Sequence, residues 1–208
     1  MPVRPVGQNL ECHRMLSAII AAEESERTLV PTLACLVAGM TAGLVREVIV
    51  ADAGVNEVIA EVADIAGCRL IRAPGPLGAR LNSAALSARA QWLLFLRAGT
   101  ILESCWVGEA MQFMAEREPL PGGPAAIFRP AASGRMRTVI EEFFALARLL
   151  ANRVNRESHA LLIARSFYRA LGGHPDASNP EAALLGKLGS RRTIVLRGVA
   201  PSHQPAIA

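Results

Sequence analysis

Charged side chains follow several short apolar runs of this 208-residue chain. Asp52 comes after EVIVA, Arg97 comes after WLLFL, and Arg80 comes after a turn rich in Pro and Gly. A carboxylate accepts hydrogen bonds from N–H groups, and an arginine binds phosphate oxygens. Each also has a plain structural interpretation, since Asp52 could cap a helix and the arginines could be surface charges.

The elements that must position these groups alternate between strand and helix. Strands are predicted at residues 15–20, 47–51, 69–71 and 92–96, and helices at residues 28–43, 55–66 and 78–90. Thr28 is expected to cap the first helix, with Pro31 in its first turn. This alternation predicts an α/β domain with parallel strands, whose ligands bind beyond the carboxyl ends of the strands.

The second half of the chain has a less regular pattern. Helices are predicted at residues 102–118, 138–154, 165–171 and 181–188, and strands at residues 125–128, 160–164 and 193–196. Glu181 begins the last helix. Its carboxylate is favoured there by the helix dipole, and it is also a candidate general base.

Composition excludes several classes of protein. The chain is 51% hydrophobic and 19% charged, which argues against disorder. It has no apolar run of the roughly 18 residues needed to span a membrane, and its N-terminus lacks the apolar core of a secretory signal, so we expect a cytoplasmic protein. The four cysteines are widely spaced and the four histidines are isolated in sequence, which predicts neither a zinc site nor a disulfide framework.

Charge is divided unevenly along the chain. Residues 1–128 carry 10 Arg against 13 acidic residues, a net charge of −3, while residues 129–208 carry 11 Arg and one Lys against 5 acidic residues, a net charge of +7. The basic part leaves a phosphate-bearing acceptor or peripheral contact with an anionic inner-membrane surface open. With only nine aromatic residues, the chain offers few stacking platforms, so nucleic acid is not an expected partner.

Taken in order, five short segments resemble the family 2 glycosyltransferases, which have a GT-A fold. They are SAIIAAEE, EVIVADAGVNE, GARLNSA, WLLFLRAGT and RSFYRALGG, and they cover roughly residues 15–200. The resemblance implies a Rossmann-like, mostly parallel central sheet with helices on both faces. It also implies a single domain with a nucleotide-binding half at residues 15–100 and an acceptor half at residues 101–200, between an N-terminal arm (residues 1–14) and a C-terminal tail (residues 201–208).

The resemblance also implies roles for particular residues. Its nucleotide-binding positions correspond to Ala22, Glu24, Asp52, Gly54, Arg80, Asn82 and Arg97. Asp52 matches the aspartate that reads the edge of the base in a UDP- or GDP-type nucleotide-sugar. Arg80 replaces a glutamine, and Arg80 and Arg97 are expected to face the diphosphate.

Two departures affect the chemistry. The family carries a D-x-D-like motif whose last aspartate binds Mg²⁺ or Mn²⁺, but this chain has Gly99 there, with no side-chain ligand atoms. No metal ligand is therefore assigned, and Arg97 is a candidate to replace the charge of the metal. In the acceptor half, Glu181 is the remaining carboxylate that matches the catalytic base.

Three functions follow as hypotheses. The first is transfer of a sugar from a nucleotide-sugar to a hydroxyl of a glycan or lipid, such as a glycan of the cell envelope. The second is a catalytically inactive binding or scaffold protein of the same fold, which Gly99 favours. The third, a nucleotidyltransferase, is disfavoured because the loop AAEES after the first strand contains no glycine to cradle phosphates.

Overall fold

One mixed sheet organises the chain. The computed structural model describes residues 15–22, 26–54, 56–130 and 160–200. Its strands are β1 (Leu16–Ala22), β2 (Val45–Asp52), β3 (Arg69–Arg72), β4 (Trp92–Arg97), β5 (Ile101–Leu102), β6 (Ala125–Pro130), β7 (Ala160–Ala164) and β8 (Thr193–Ala200). Its helices are α1 (Glu26–Thr41), α2 (Glu57–Ile65), α3 (Leu77–Ser87), α4 (Trp106–Ala115), α5 (Arg165–Ala170) and α6 (Pro180–Leu188), with a short 3₁₀ helix at Ser190–Arg192.

The strands run in the order β3-β2-β1-β4-β7-β6-β8-β5. β1 pairs in parallel with β2 and β4, and β2 pairs in parallel with β3. Every residue of β1 is buried, as are the first five of β4. Strands covered on both faces are continuous apolar runs, which is why LSAIIAA and WLLFL show no alternation.

The strand order reverses between β1 and β4, and such a reversal marks the expected ligand crevice of the sheet. The chain moves outward from β1 to β2 and β3, then returns through α3 to β4 on the other side of β1. Right-handed crossovers therefore put α1 and α2 on one face of the sheet and α3 on the other. Ligands of such sheets bind at the carboxyl ends of the two strands where the order reverses, here β1 and β4.

The second half extends the sheet with mixed pairing. β7 lies antiparallel between β4 and β6, β8 pairs in parallel with β6, and β5 closes the edge against β8. The predicted helix at residues 138–154, the N-terminal arm and the C-terminal tail lie outside the described residues. In the part of the chain that is described, no helix combines the length and apolar character needed to cross a membrane.

The predicted start of the first helix is wrong. α1 already includes Glu26, so Thr28 lies inside the helix rather than at its cap, and Pro31 is its sixth residue. The backbone carbonyl of Thr28 instead accepts a hydrogen bond from Gly99 at 2.8 Å. This contact ties α1 to the loop after β4.

Two further helices are shorter than predicted. Residues 101 and 102 form β5 by pairing with β8, and the helix begins only at Trp106. α3 ends at Ser87 because the next backbone N–H groups find side-chain acceptors: Arg89 donates to Glu47 at 2.6 Å and Ala90 donates to Ser17 at 3.1 Å.

Candidate functional site

Four strand ends bring the candidate residues into one row. In the strand register, Asp52 lies beside Ala22 of β1 on one side and Arg72 of β3 on the other, while Ala21 lies beside Arg97 of β4. Two strand spacings, or about 10 Å, therefore separate the backbones of Asp52 and Arg97. The row crosses the point at which the strand order reverses.

Asp52 is a buried carboxylate without a hydrogen-bond donor among the described residues. It is 1% exposed, and neither of its oxygens has a hydrogen-bond partner. The nearest cation is Arg72, whose Nε lies 3.6 Å from Oδ2, beyond ordinary hydrogen-bond distance. Asp52 does not cap the helix that follows, because Asn56 does so by accepting from the Val58 N–H at 2.9 Å.

Arg72 is a site residue that the sequence analysis missed. Its Nη2 donates to Glu57 Oε2 at 2.6 Å while its Nε faces Asp52. The hydrogen bond to Glu57 raises the pKa of Arg72, and the same bond lowers the pKa of Glu57. The signal was present in the sequence, since Arg72 ends the strand next to Asp52.

Arg97 and Glu181 contact each other. Arg97 Nε donates to Glu181 Oε2 at 2.7 Å, and their side chains are 37% and 30% exposed. Glu181 lies in the first turn of α6, whose N-cap is Asn179. The two residues at which the sequence predicted phosphate binding and general base catalysis thus form one ion pair.

Gly99 occupies a backbone conformation that other residues rarely adopt. Its φ is +95°, and its N–H points to α1, where it donates to the Thr28 carbonyl at 2.8 Å and to Thr32 Oγ1 at 2.9 Å. The segment RAGT offers no carboxylate, and the described residues contain no cluster of three or more His, Cys, Asp or Glu suited to a metal. This donor set does not fit Mg²⁺ or Mn²⁺, which bind through carboxylate oxygens.

Asn82 anchors the loop that leads to Glu181. Its Oδ1 accepts from the His174 N–H at 2.9 Å and from the Tyr168 hydroxyl at 2.5 Å, and its Nδ2 donates to the His174 carbonyl at 2.8 Å. A Cβ added to Gly173 would overlap Asn82 Oδ1, so this loop packs directly on α3. Contact of Asn82 with a nucleotide remains a prediction.

His174 is neutral at neutral pH because it is buried. It is 3% exposed, its Nδ1 lies 2.7 Å from the Tyr168 hydroxyl, and its ring packs edge-on against Phe95. Burial lowers the pKa of His174 to about 4, with a further contribution from the positive charge of Lys187. Burial also raises the pKa of Tyr168.

Three of the four remaining predicted positions belong to the described residues. Arg80 is 6% exposed in the first turn of α3, and its Nη1 donates to the Gly75 carbonyl at 3.3 Å. Ala22 ends β1 and is 1% exposed. Gly54 follows Asp52 with φ +78°, a turn that favours glycine. Glu24 lies outside the described residues.

Charged side chains of both signs lie along the row. Asp52 and the exposed Glu57 lie at the β2 and β3 end, with Arg72 between them, and Glu26 contacts Asn56 Nδ2 at 3.4 Å. At β4, Arg97 is paired with Glu181, and Arg80 lies in the first turn of α3, which packs on β1, β2 and β3. This arrangement suits a ligand with N–H donors at one end and phosphates at the other.

No protein-family model matches the sequence, and no curated protein matches it. Solved structures do match the fold. Glucosyl-3-phosphoglycerate synthase from Mycobacterium tuberculosis, solved with Mn²⁺, UDP and glucosyl-3-phosphoglycerate, aligns with a TM-score of 0.64 at 19% identity over 99% of this chain and 78% of that chain.

Two further structures are similar over most of this chain. The mannosyltransferase PcManGT from Pyrobaculum calidifontis, in complex with GDP-Man and Mn²⁺, gives a TM-score of 0.67 at 13% identity over 92% of this chain and 57% of that chain. TarS 1-349 of S. aureus, in complex with UDP-GlcNAc, gives a TM-score of 0.63 at 16% identity. The alignment covers 93% of this chain and 60% of that chain. The expected fold is confirmed: the chain has a mixed α/β, GT-A-like glycosyltransferase fold.

Proposed function

We propose that this chain transfers a sugar from a nucleotide-sugar to a hydroxyl group of a glycan or lipid, as a divergent relative of the family 2 glycosyltransferases. The observation that carries the proposal is the contact between Arg97 and Glu181 at 2.7 Å, on a glycosyltransferase-like fold. It joins a cation beside the expected diphosphate to a carboxylate beside the expected acceptor.

In this proposal, Asp52 binds the edge of the base, and Arg97 and Arg80 bind the diphosphate. The acceptor hydroxyl gives its proton to Glu181 as its oxygen forms a bond to the anomeric carbon of the sugar. The bond from that carbon to the diphosphate oxygen breaks, and its electron pair leaves with the nucleoside diphosphate. The charge that develops on the leaving group is met by the arginines.

The ion pair couples the two halves of this reaction. Arg97 fixes the position of the Glu181 carboxylate before the acceptor binds, because its Nε donates to Oε2 at 2.7 Å. Once Glu181 takes the proton, it no longer attracts the guanidinium. Arg97 can then give its hydrogen bonds to the departing diphosphate.

The acceptor in this proposal is anionic or lies beside anionic groups. Its support is the net charge of +7 over residues 129–208, which contrasts with −3 over residues 1–128. A phosphate-bearing sugar acid or a lipid-linked acceptor fits this charge. Acceptor candidates of both kinds belong in the first screen.

A non-catalytic binding protein of the same fold is the second candidate function. Gly99 favours it, because no carboxylate stands at the position that holds the metal in the family this chain resembles. Nucleotide binding alone does not separate the two candidates. Turnover does.

The experiment that separates them measures release of nucleoside diphosphate from GDP- and UDP-sugars, with EDTA and with Mn²⁺. An active enzyme releases product, Glu181→Gln loses turnover while still binding the nucleotide, and the exposed-site control Glu61→Gln retains both. Binding without any release, in the presence of anionic acceptors, supports the non-catalytic candidate. Absence of both binding and release contradicts the two candidates together.

A further inference from the structure

We propose that the nucleotide site selects guanine over uracil, an inference that rests on the proposed function and names the class of its donor. It starts from the two oxygens of Asp52. Both are buried and have no hydrogen-bond donor among the described residues, although the side chain is only 1% exposed. A buried carboxylate without donors is costly, so such a group marks a place where a ligand supplies them.

The number and position of the missing donors distinguish the bases. Guanine presents N1–H and the exocyclic N2–H side by side, which matches the two oxygens of one carboxylate. Uracil presents one N–H, flanked by two carbonyl oxygens, so it satisfies one oxygen of Asp52 and sets a carbonyl against the other. Adenine and cytosine each offer a single amino group on that edge. Of these four bases, only guanine presents two N–H donors side by side on this edge.

Arg72 completes the match. Guanine carries the O6 acceptor directly beside N1–H, and Arg72 Nε lies 3.6 Å from Asp52 Oδ2 on the neighbouring strand. A guanidinium beside the carboxylate thus supplies the donor that O6 requires. The protein then presents two acceptors, the oxygens of Asp52, followed by one donor, the guanidinium of Arg72. This order is complementary to the N2–H, N1–H and O6 edge of guanine.

Arg72 lies beside the Asp52 carboxylate and has a second, shorter contact. The Arg72 side chain is 38% exposed, and its shorter contact is with Glu57, which is 83% exposed, at 2.6 Å. Arg72 therefore already has an anchor on the solvent side. In this proposal that anchor holds the guanidinium beside Asp52, where it donates to O6 of the bound guanine.

The experiment is a calorimetric competition of the intact chain with GDP, UDP and inosine diphosphate, all in EDTA. Inosine diphosphate keeps N1–H and O6 but lacks the 2-amino group, so it removes one of the two proposed donors without any mutation. We expect GDP to bind about tenfold or more tightly than either of the other two, since one well-placed base contact discriminates by roughly that factor.

The variant Asp52→Asn tests the same contact from the protein side. An amide has one acceptor oxygen, so the preference for GDP over inosine diphosphate should disappear, while the exposed control Glu61→Gln keeps it. Should Asp52→Asn fail to fold, the three wild-type affinities decide alone. UDP or inosine diphosphate binding as tightly as GDP overturns this inference and leaves the proposed function standing. Failure of all three to bind overturns both.

Discussion

Arg97 Nε donates to Glu181 Oε2 at 2.7 Å, across 84 residues of sequence. The contact links the end of β4 to the first turn of α6, and so links the parallel half of the sheet to the mixed half. Ligands of such sheets bind at the carboxyl ends of the strands, so under the proposed function a phosphate competes with Glu181 for Arg97.

Arg97→Gln should weaken binding of a nucleoside diphosphate by about fivefold to tenfold, because a half-exposed arginine contributes a charge-assisted hydrogen bond reduced by solvent screening. The free nucleoside lacks phosphates, so its affinity should not change. Calorimetry with GDP and guanosine measures both. The control is Arg89→Gln, at an exposed position outside the row.

An equal loss of affinity for guanosine would contradict this role for Arg97, because it would indicate a general disturbance of the site. An unchanged affinity for GDP would contradict it as well. In that case Arg97 serves only to hold Glu181.

Gly99→Asp should lower the free energy of unfolding by about 1 to 3 kcal/mol, because a side chain at φ +95° is strained. It should not create dependence on Mn²⁺, since the N–H of this residue is held against α1 by Thr28 and Thr32. Urea unfolding measures the stability, and nucleotide titration with and without Mn²⁺ measures the metal dependence.

The matched control is Gly108→Ala, which lies inside α4 with open space around the added Cβ. It should raise stability by about 0.5 to 1 kcal/mol, as alanine does in helices. If Gly99→Asp is as stable as Gly108→Ala, residue 99 is not strained by a side chain. If the variant gains tight Mn²⁺-dependent nucleotide binding, the loop after β4 is not held away from a metal by its contacts with α1.

His174 should make the protein less stable as the pH falls from about 6.5 to about 4. The pKa of His174 is lowered from 6.5 to about 4 in the folded state, so between these values the unfolded chain binds the extra proton. Stability is complete above the unfolded pKa and is lost towards the folded pKa, by up to about 3 kcal/mol. Urea unfolding at several pH values measures the slope.

The variant His174→Asn should be less stable at neutral pH but should show a flatter slope between pH 6.5 and 4. Lys187→Gln should flatten the wild-type slope slightly, since the charge of Lys187 contributes to the lowered pKa. A variant slope as steep as that of the wild type would assign the pH dependence to other groups.

Asp52→Asn should not destabilise the empty protein, because the carboxylate accepts no hydrogen bond from the described residues. The substitution removes only its ion pair with Arg72, which is exposed to solvent. A residue kept for binding at a cost to stability behaves in this way. Urea unfolding beside the exposed control Asp64→Asn checks the expectation. A loss above about 2 kcal/mol would mean that Asp52 is a structural ion-pair partner instead.

The central strands could be predicted from sequence because burial on both faces leaves a continuous apolar run. β4 and β7 match the expected ranges to within one residue, and the predicted alternation of strand and helix through residue 97 is confirmed. Boundaries failed where distant partners decide them. Thr28 binds the Gly99 N–H instead of capping a helix, and residues 101 and 102 become a strand only because β8 lies beside them.

The candidate site was only partly predictable. Asp52, Arg97 and Glu181 could be selected because each stands at the end or start of an element, where side chains face a crevice. Arg72 was missed although it directly follows the predicted strand at residues 69–71, because an arginine at the end of a half-exposed strand has the same pattern as a surface charge. The contacts of Asn82 with Tyr168 and His174 span 86 and 92 residues, beyond the reach of any local pattern.

The most direct test of a metal-independent nucleotide site is calorimetric titration of the intact chain with GDP and UDP, in EDTA and then in Mn²⁺. We expect binding of a nucleoside diphosphate that is unchanged by Mn²⁺ and is lost in Asp52→Ala. Binding that requires Mn²⁺ would contradict the replacement of the metal charge by arginines. No binding of either nucleotide in either condition would contradict a nucleotide site at the carboxyl edge of this sheet.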